Sequence, residues 1–140
     1  MIRVMREIKF RGKRLECELP DGEKLHGGFV YGSLLQGNGL CQILEPIKGG
    51  FKNYKVDPDT VGQFTGLHDA DGRELYEGDI IERERNGLLY AVIFWEGMYY
   101  ASVEACNRGI YGGFPLHSLT RDSICRIVGN VHDDPMLLKD

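Results

Sequence analysis

Residues 78–104 read GDIIERERNGLLYAVIFWEGMYYASVE, and the architecture of the chain follows from how this stretch is parsed. DIIERER (79–85) and LLYAVIFW (88–95) are rich in β-branched and aromatic residues. They are separated by Asn86-Gly87, a dipeptide that readily takes the left-handed dihedral angles of a tight hairpin turn. The pattern predicts strands over 78–85 and 89–95, and a third over 98–104 beyond Gly97. A tight turn of this kind fixes register, so an antiparallel sheet is expected here.

Working outward, the same texture continues in both directions. Glycine supplies 19 of the 140 residues, and much of it lies between short β-rich runs. Further strands are predicted over 6–11, 15–19, 27–35, 40–44, 52–56 and 124–130, punctuated by Asp21-Gly22, Gly37-Asn38-Gly39 and Gly49-Gly50. Helix signals are sparse. At the end of the chain, Pro135 suits the first turn of a short helix, with Asp133 or Asp134 as its cap and Leu137 and Leu138 docking it. The stretch 57–77 holds Pro58, several glycines and turn-forming aspartates, and reads as a connection between two small β units. The expectation is a mainly β protein divided into residues 1–62 and 63–140.

With 17 Lys and Arg against 21 Asp and Glu, the chain carries a formal charge of −4; 42% of its residues are apolar and 27% charged. This suits a modest globular core, which oligomerisation would usefully extend, and excludes a long disordered polymer. No apolar run approaches the roughly 20 residues that cross a bilayer, and no secretory pattern is seen, so a cytoplasmic location without membrane contact is expected. Charge is segregated: residues 1–62 carry 10 basic and 8 acidic side chains (+2), and residues 63–140 carry 7 and 13 (−6). The four cysteines, at 17, 41, 106 and 125, lack the close pairs of a zinc knuckle or dithiol centre and read as free thiols. Cys106 and Cys125 could approach across a sheet.

Chemistry-bearing residues are scattered. His68, Asp69, Asp71 and Glu74 have the atoms to ligate a metal, but the DADGRE run is better read as an Asp-Gly turn, and the position where a calcium loop needs its closing glutamate is Gly78. Glu77 and Asp79 flank Gly78 and suit turn amides better than a catalytic pair. His26, His68, His117 and His132 are dispersed, and no phosphate loop or dinucleotide fingerprint is present. No catalytic residue, metal site or cofactor is therefore expected, and an enzyme is the weakest of the functional readings.

Two surfaces stand out. Trp95, Tyr99, Tyr100, Arg108, Tyr111 and Phe114 surround Gly97 and the glycine-rich 109–113 stretch, where exposed rings would grip a peptide or protein. The leading reading of this region is nevertheless a core role, with Phe94, Trp95, Met98 and Tyr100 packing a small barrel and its seam, and recognition of a peptide, protein or nucleic acid is its alternative. The second surface is the basic run Arg3, Arg6, Lys9, Arg11, Lys13 and Arg14, opposed only by Glu7. It reads as an edge strand protected by charge or, alternatively, as a nucleic-acid contact.

Four stretches in this order carry a resemblance: MREIKFRGKR (5–14), FVYGSLL (29–35), VDPDTVGQFTGLHDADGRELYEGDII (56–81) and IVGNVHDDP (127–135). Together they resemble the YopX family of phage and prophage proteins, the long central string most specifically. The resemblance implies an N-terminal β-rich subdomain followed by an SH3-like β-barrel subdomain with a short C-terminal tail, and it transfers no catalytic residue. The leading functional expectation is a phage or prophage accessory protein acting through protein interaction or homo-oligomerisation. A nucleic-acid-binding module is the alternative.

Overall fold

The computed structural model describes residues 6–103, 106 and 112–138, with Cys17 and Glu18 described in backbone only. The chain forms two compact units, residues 1–63 and 64–140.

The first unit is an antiparallel meander of β1 (Phe10–Glu18), β2 (Lys24–Gly37), β3 (Leu40–Ile47) and β4 (Gly50–Lys55). Asn38 and Gly39, with φ of 50° and 79°, make the two-residue turn that joins Gly37 to Leu40. Val30, Ile43 and Val56 form its core, with Phe10, Leu34, Cys41, Tyr54 and Val61 packed around them. The end of β4 curls back to β1: Arg14 bridges Val56, and the Asp57 amide donates to the Lys13 carbonyl at 3.0 Å. Close approach demands a small residue at Gly32, where a Cβ would fall 2.0 Å from the Leu44 carbonyl oxygen. A 3-10 turn, Pro58–Thr60, follows β4. Asp57 caps it through the Asp59 amide, and Thr60 Oγ1 accepts from the Lys13 amide at 2.8 Å.

Strand β5 (Gly62–His68) carries the chain onward. Its first residues, Gly62 and Gln63, pair with Arg11 and Phe10, and its later part pairs with β6 (Glu74–Tyr76). The second unit then builds a five-stranded antiparallel sheet from β7 (Asp79–Arg83), β8 (Leu89–Trp95), β9 (Met98–Ser102), β10 (Gly113–Pro115) and β11 (Cys125–Asn130), in the order β10-β9-β8-β7-β11. A seven-residue helix, α1 (Leu116–Asp122), precedes β11. Period-two alternation gives the sheet two faces. Ile81, Tyr90, Val92, Ala101 and Cys125 point to the main core, with Leu75, Leu116 and Leu119. Ile80, Ala91 and Cys106 form a smaller cluster covered by Val131, Leu137 and Leu138.

The chain is mostly β with two sheets and little helix, as the sequence reading expects. Among the described pairings β10 and β11 remain edges, so the ladder itself does not close into a barrel. Several details differ from expectation. The 57–77 stretch contains β5 and β6, short strands whose turn residues dominate the local signal. Asn86-Gly87 does not make a two-residue turn. Gly87 alone is left-handed (φ 68°), and the loop closes through Arg83 N–H donating to the Leu88 carbonyl and Gly87 N–H donating to the Arg83 carbonyl. The tight turn lies instead at Glu96-Gly97 (φ 47° and 84°), between Trp95 and Met98. Cys106 and Cys125 sit in different clusters rather than approaching one another. The C-terminal segment is a 3-10 turn, Pro135–Leu138, with Asp134 accepting from the Asn130 amide at 3.0 Å.

Candidate functional site

The β8–β9 hairpin projects past the part of the sheet that the C-terminal turn covers. Its cross-strand pairs alternate faces: Ile93 opposite Tyr100 and Trp95 opposite Met98 lie on the face of Ala91, whereas Phe94 opposite Tyr99 and Val92 opposite Ala101 lie on the other. On the first face, Val131, Leu137 and Leu138 cover the root of the sheet around Ile80 and Ala91. Toward the tip no such cover exists among the described residues. There Ile93, Trp95, Glu96, Met98, Tyr100 and Ser102 line an open cleft of about 440 Å³. Trp95 is 59% exposed and Phe94, across the strand, 55%; Met98 is also exposed. Such rings lose little side-chain entropy when a partner covers them.

The residues singled out by sequence do not form one patch. Trp95 and Tyr100 share the open face. Tyr99 lies on the other, edge-on to Phe94 with ring centroids 5.2 Å apart, and packs against the main core. Phe114 on β10 pairs with Ala101, beside the Tyr90 ring and under the Arg83 guanidinium. Arg108 and Tyr111 lie outside the described residues. The core role considered for Phe94, Trp95 and Met98 is not what the structure gives, because the Glu96-Gly97 turn carries them beyond the core. The alternation of Ile93 and Trp95 against Met98 and Tyr100 across that turn was the available signal, and it also brings in Ile93, Glu96 and Ser102.

The basic N-terminal residues are spread over two faces. Arg3 lies outside the described residues and Arg6 is exposed. Lys9 pairs with Glu7 at 2.9 Å. Arg11 is 5% exposed, its guanidinium 4.3 Å from the Phe29 ring centroid, with the Lys13 ammonium 4.9 Å from the same centroid. Arg14 pairs with Glu16 at 2.7 Å and lies over Tyr54.

Two aspartates hold backbone together. In the first unit, burial disfavours ionised Asp57, but hydrogen bonds from His26, the Asp59 amide and Lys24, with the Lys24 charge, outweigh it and hold the carboxyl below the ordinary aspartate value. In the second, burial again opposes ionisation of Asp69; amides of Ile127, Arg73 and Asp71, with the Arg73 charge, pull its pKa down. The sequence reading counted Asp69 among side chains with ligand atoms but favoured a turn, and its oxygens are committed to these backbone donors. Asp71 pairs with Arg126, and Glu74 accepts from the Tyr76 hydroxyl at 3.0 Å. Asp79 accepts from the Tyr76 amide at 2.8 Å, closing the turn that Glu77 and Gly78 form. Among the described residues no three His, Cys, Asp or Glu side chains are grouped to hold a metal ion. Burial pushes the Cys41, Cys106 and Cys125 thiols up, away from the nucleophilic thiolate; Asp57 adds to this at Cys41, and Arg83 partly opposes it at Cys125.

No helix among the described residues is long and apolar enough to cross a membrane. Among solved structures the chain is similar to the crystal structure of protein EF1440 from Enterococcus faecalis, with a TM-score of 0.54 and 18% identity, covering 96% of this chain and 100% of that one. At that identity the likeness speaks to the fold alone. No curated protein matches the chain. The model of the family described as YopX protein matches residues 36–139, the later part of the first unit and nearly all of the second, and the chain belongs to the YopX family.

Proposed function

We propose that this phage or prophage protein is a non-enzymatic accessory factor that works in the host cytoplasm by binding protein, and that the β8–β9 hairpin is the gripping element. The observation that carries this reading is the hairpin-tip strip of exposed Trp95 and Met98 beside half-buried Ile93 and Tyr100, which among the described residues lacks the cover that the chain's own C-terminal turn gives the root of the same face. A sheet face that the chain covers at its root, with exposed rings at its tip, supports a second protein over the tip. The strand order supports an SH3-like unit: three hairpin-connected strands, a short β10, one helical segment, and a last strand returning to pair with the first. The hairpin tips of such a unit stand free of its core.

Homo-oligomerisation is the first form of this interaction to test. Light scattering coupled to size exclusion is expected to give the wild-type chain a mass that is a stable multiple of one chain, and Trp95→Glu the mass of one. Should the wild type run as a single chain at every concentration, a photo-crosslinking residue at position 95 in host cells decides between a different protein partner and none. Capture of no protein there sinks the reading.

A further inference from the structure

Strand β4 is an edge strand whose outer backbone groups can be assigned. Gly50 pairs with Ile47 across a two-residue turn, and the Val56 amide donates to the Cys41 carbonyl at 3.2 Å. By antiparallel alternation Gly50, Lys52, Tyr54 and Val56 turn their N–H and C=O groups toward β3, while Phe51, Asn53 and Lys55 turn theirs outward. The C-terminal end of the strand meets β1, where Arg14 bridges Val56 and lies over the Tyr54 ring and the Asp57 amide donates to the Lys13 carbonyl, so the open part of the edge is Phe51 and Asn53.

The side chains on this edge have one sign. No acidic residue occurs between Glu45 and Asp57, whereas Lys48, Lys52 and Lys55 all do. Lys48 and Lys55 form no ion pair among the described residues, and Lys52 leans over the Tyr54 ring with its ammonium 5.0 Å from the centroid. Lysines commonly guard an edge against unwanted pairing. Guarding alone does not account for Phe51, which is 60% exposed at the middle of the edge and lies opposite Pro46.

We propose that β4 is a docking edge for an extended acidic segment of another protein, which adds to the sheet as a further strand. Its backbone would exchange hydrogen bonds with Phe51 and Asn53, an apolar side chain would cover Phe51, and acidic side chains about three residues apart would meet Lys52 and Lys55. A second β4 is disfavoured because it brings three more lysines to the same edge. A nucleic acid is disfavoured because Lys52 and Arg14 both lie over the Tyr54 ring, leaving Phe51 alone for stacking. The proposal concerns a different unit from the β8–β9 hairpin and stands apart from it.

The test is fluorescence anisotropy on the full chain with a labelled Val/Thr-rich probe peptide bearing two glutamates three residues apart. A lysine version of the peptide and a single-stranded oligonucleotide serve as comparisons. Saturable binding of the acidic probe alone is expected, weakened by about tenfold or more in Lys52→Glu/Lys55→Glu and in Asn53→Pro. Asn53→Pro removes an outward donor and leaves the bonds to β3. On the wild-type chain, amide chemical-shift changes should centre on Phe51, Asn53 and Lys55, a readout independent of whether a variant folds. A shift map centred elsewhere, absence of saturable binding, or tighter binding of the oligonucleotide overturns the proposal.

Discussion

The imidazole Nε2 of His26 lies 2.7 Å from Oδ2 of Asp57, while Oδ1 of the same carboxylate accepts from the Lys24 ammonium at 3.2 Å and from the Asp59 amide at 3.1 Å. An ionised carboxylate only accepts, so His26 is the donor. Asp57 therefore ties the start of β2 to the turn that follows β4. Because its pKa is lowered on folding, its stabilising contribution is fully present above the ordinary aspartate value and is lost as pH falls through the folded value. Thermal melts followed across pH should show the first unit weakening from about pH 4 downward. Asp57→Asn should lower stability by about 2–3 kcal/mol near neutrality and flatten that acid limb. An unchanged acid limb in the variant would falsify the assignment.

Asp69 makes a comparable clamp in the second unit. Its side chain is fully buried, with Oδ1 accepting the Asp71 and Arg73 amides at 2.9 Å each and Oδ2 accepting the Ile127 amide at 3.0 Å. The turn after β5 is thereby fixed to β11. Asp69→Ala leaves three amides without that acceptor and should cost about 2–4 kcal/mol. Added calcium should leave the wild-type melting temperature unchanged, because the carboxylate serves the backbone. A calcium-dependent rise in the melt would contradict this role.

The strands of residues 89–95 and 98–102 were legible in the sequence because Leu89 through Trp95 form an uninterrupted β-rich run. The short β5, β6 and β10 were not, since Gly66, Gly72 and Pro115 speak locally for turns while tertiary pairing decides the outcome. Helix α1, LHSLTRD, has no side-chain cap and is held by buried Leu116 and Leu119, so no local signal marked it. At the candidate site, residue type pointed to Trp95 and Tyr100. Their separation from Tyr99 and Phe114 depends on pairing register, which follows from the Glu96-Gly97 turn rather than from composition.

Two glycines in β2 separate backbone necessity from backbone entropy. A methyl group at Gly32 would meet the Leu44 carbonyl oxygen at 2.0 Å, so strand β3 would have to move. Gly32→Ala should cost about 3 kcal/mol or more, or prevent the first unit from folding. At Gly28 nothing lies within 4 Å of where a methyl group would stand, and no unusual φ is required. Gly28→Ala should raise stability by about 0.4–1 kcal/mol through the unfolded state. Chemical denaturation of the two variants checks both signs, and a stable Gly32→Ala protein would refute the close approach.

Trp95 is the chain's single tryptophan and is more than half exposed, so its emission reports directly on the hairpin tip. In the free protein its fluorescence should be red-shifted and readily quenched by acrylamide. Coverage by a partner should shift it blue and protect it, because the indole leaves water. Replacing it should cost the fold little: Trp95→Ala is expected within about 0.5 kcal/mol of wild type, against about 2–5 kcal/mol for Leu75→Ala in the buried core. If Trp95→Ala instead destabilises the unit as Leu75→Ala does, the indole is a packing residue and the hairpin tip is not a free surface. If stability is kept while self-association or partner capture is lost, the tip acts in binding.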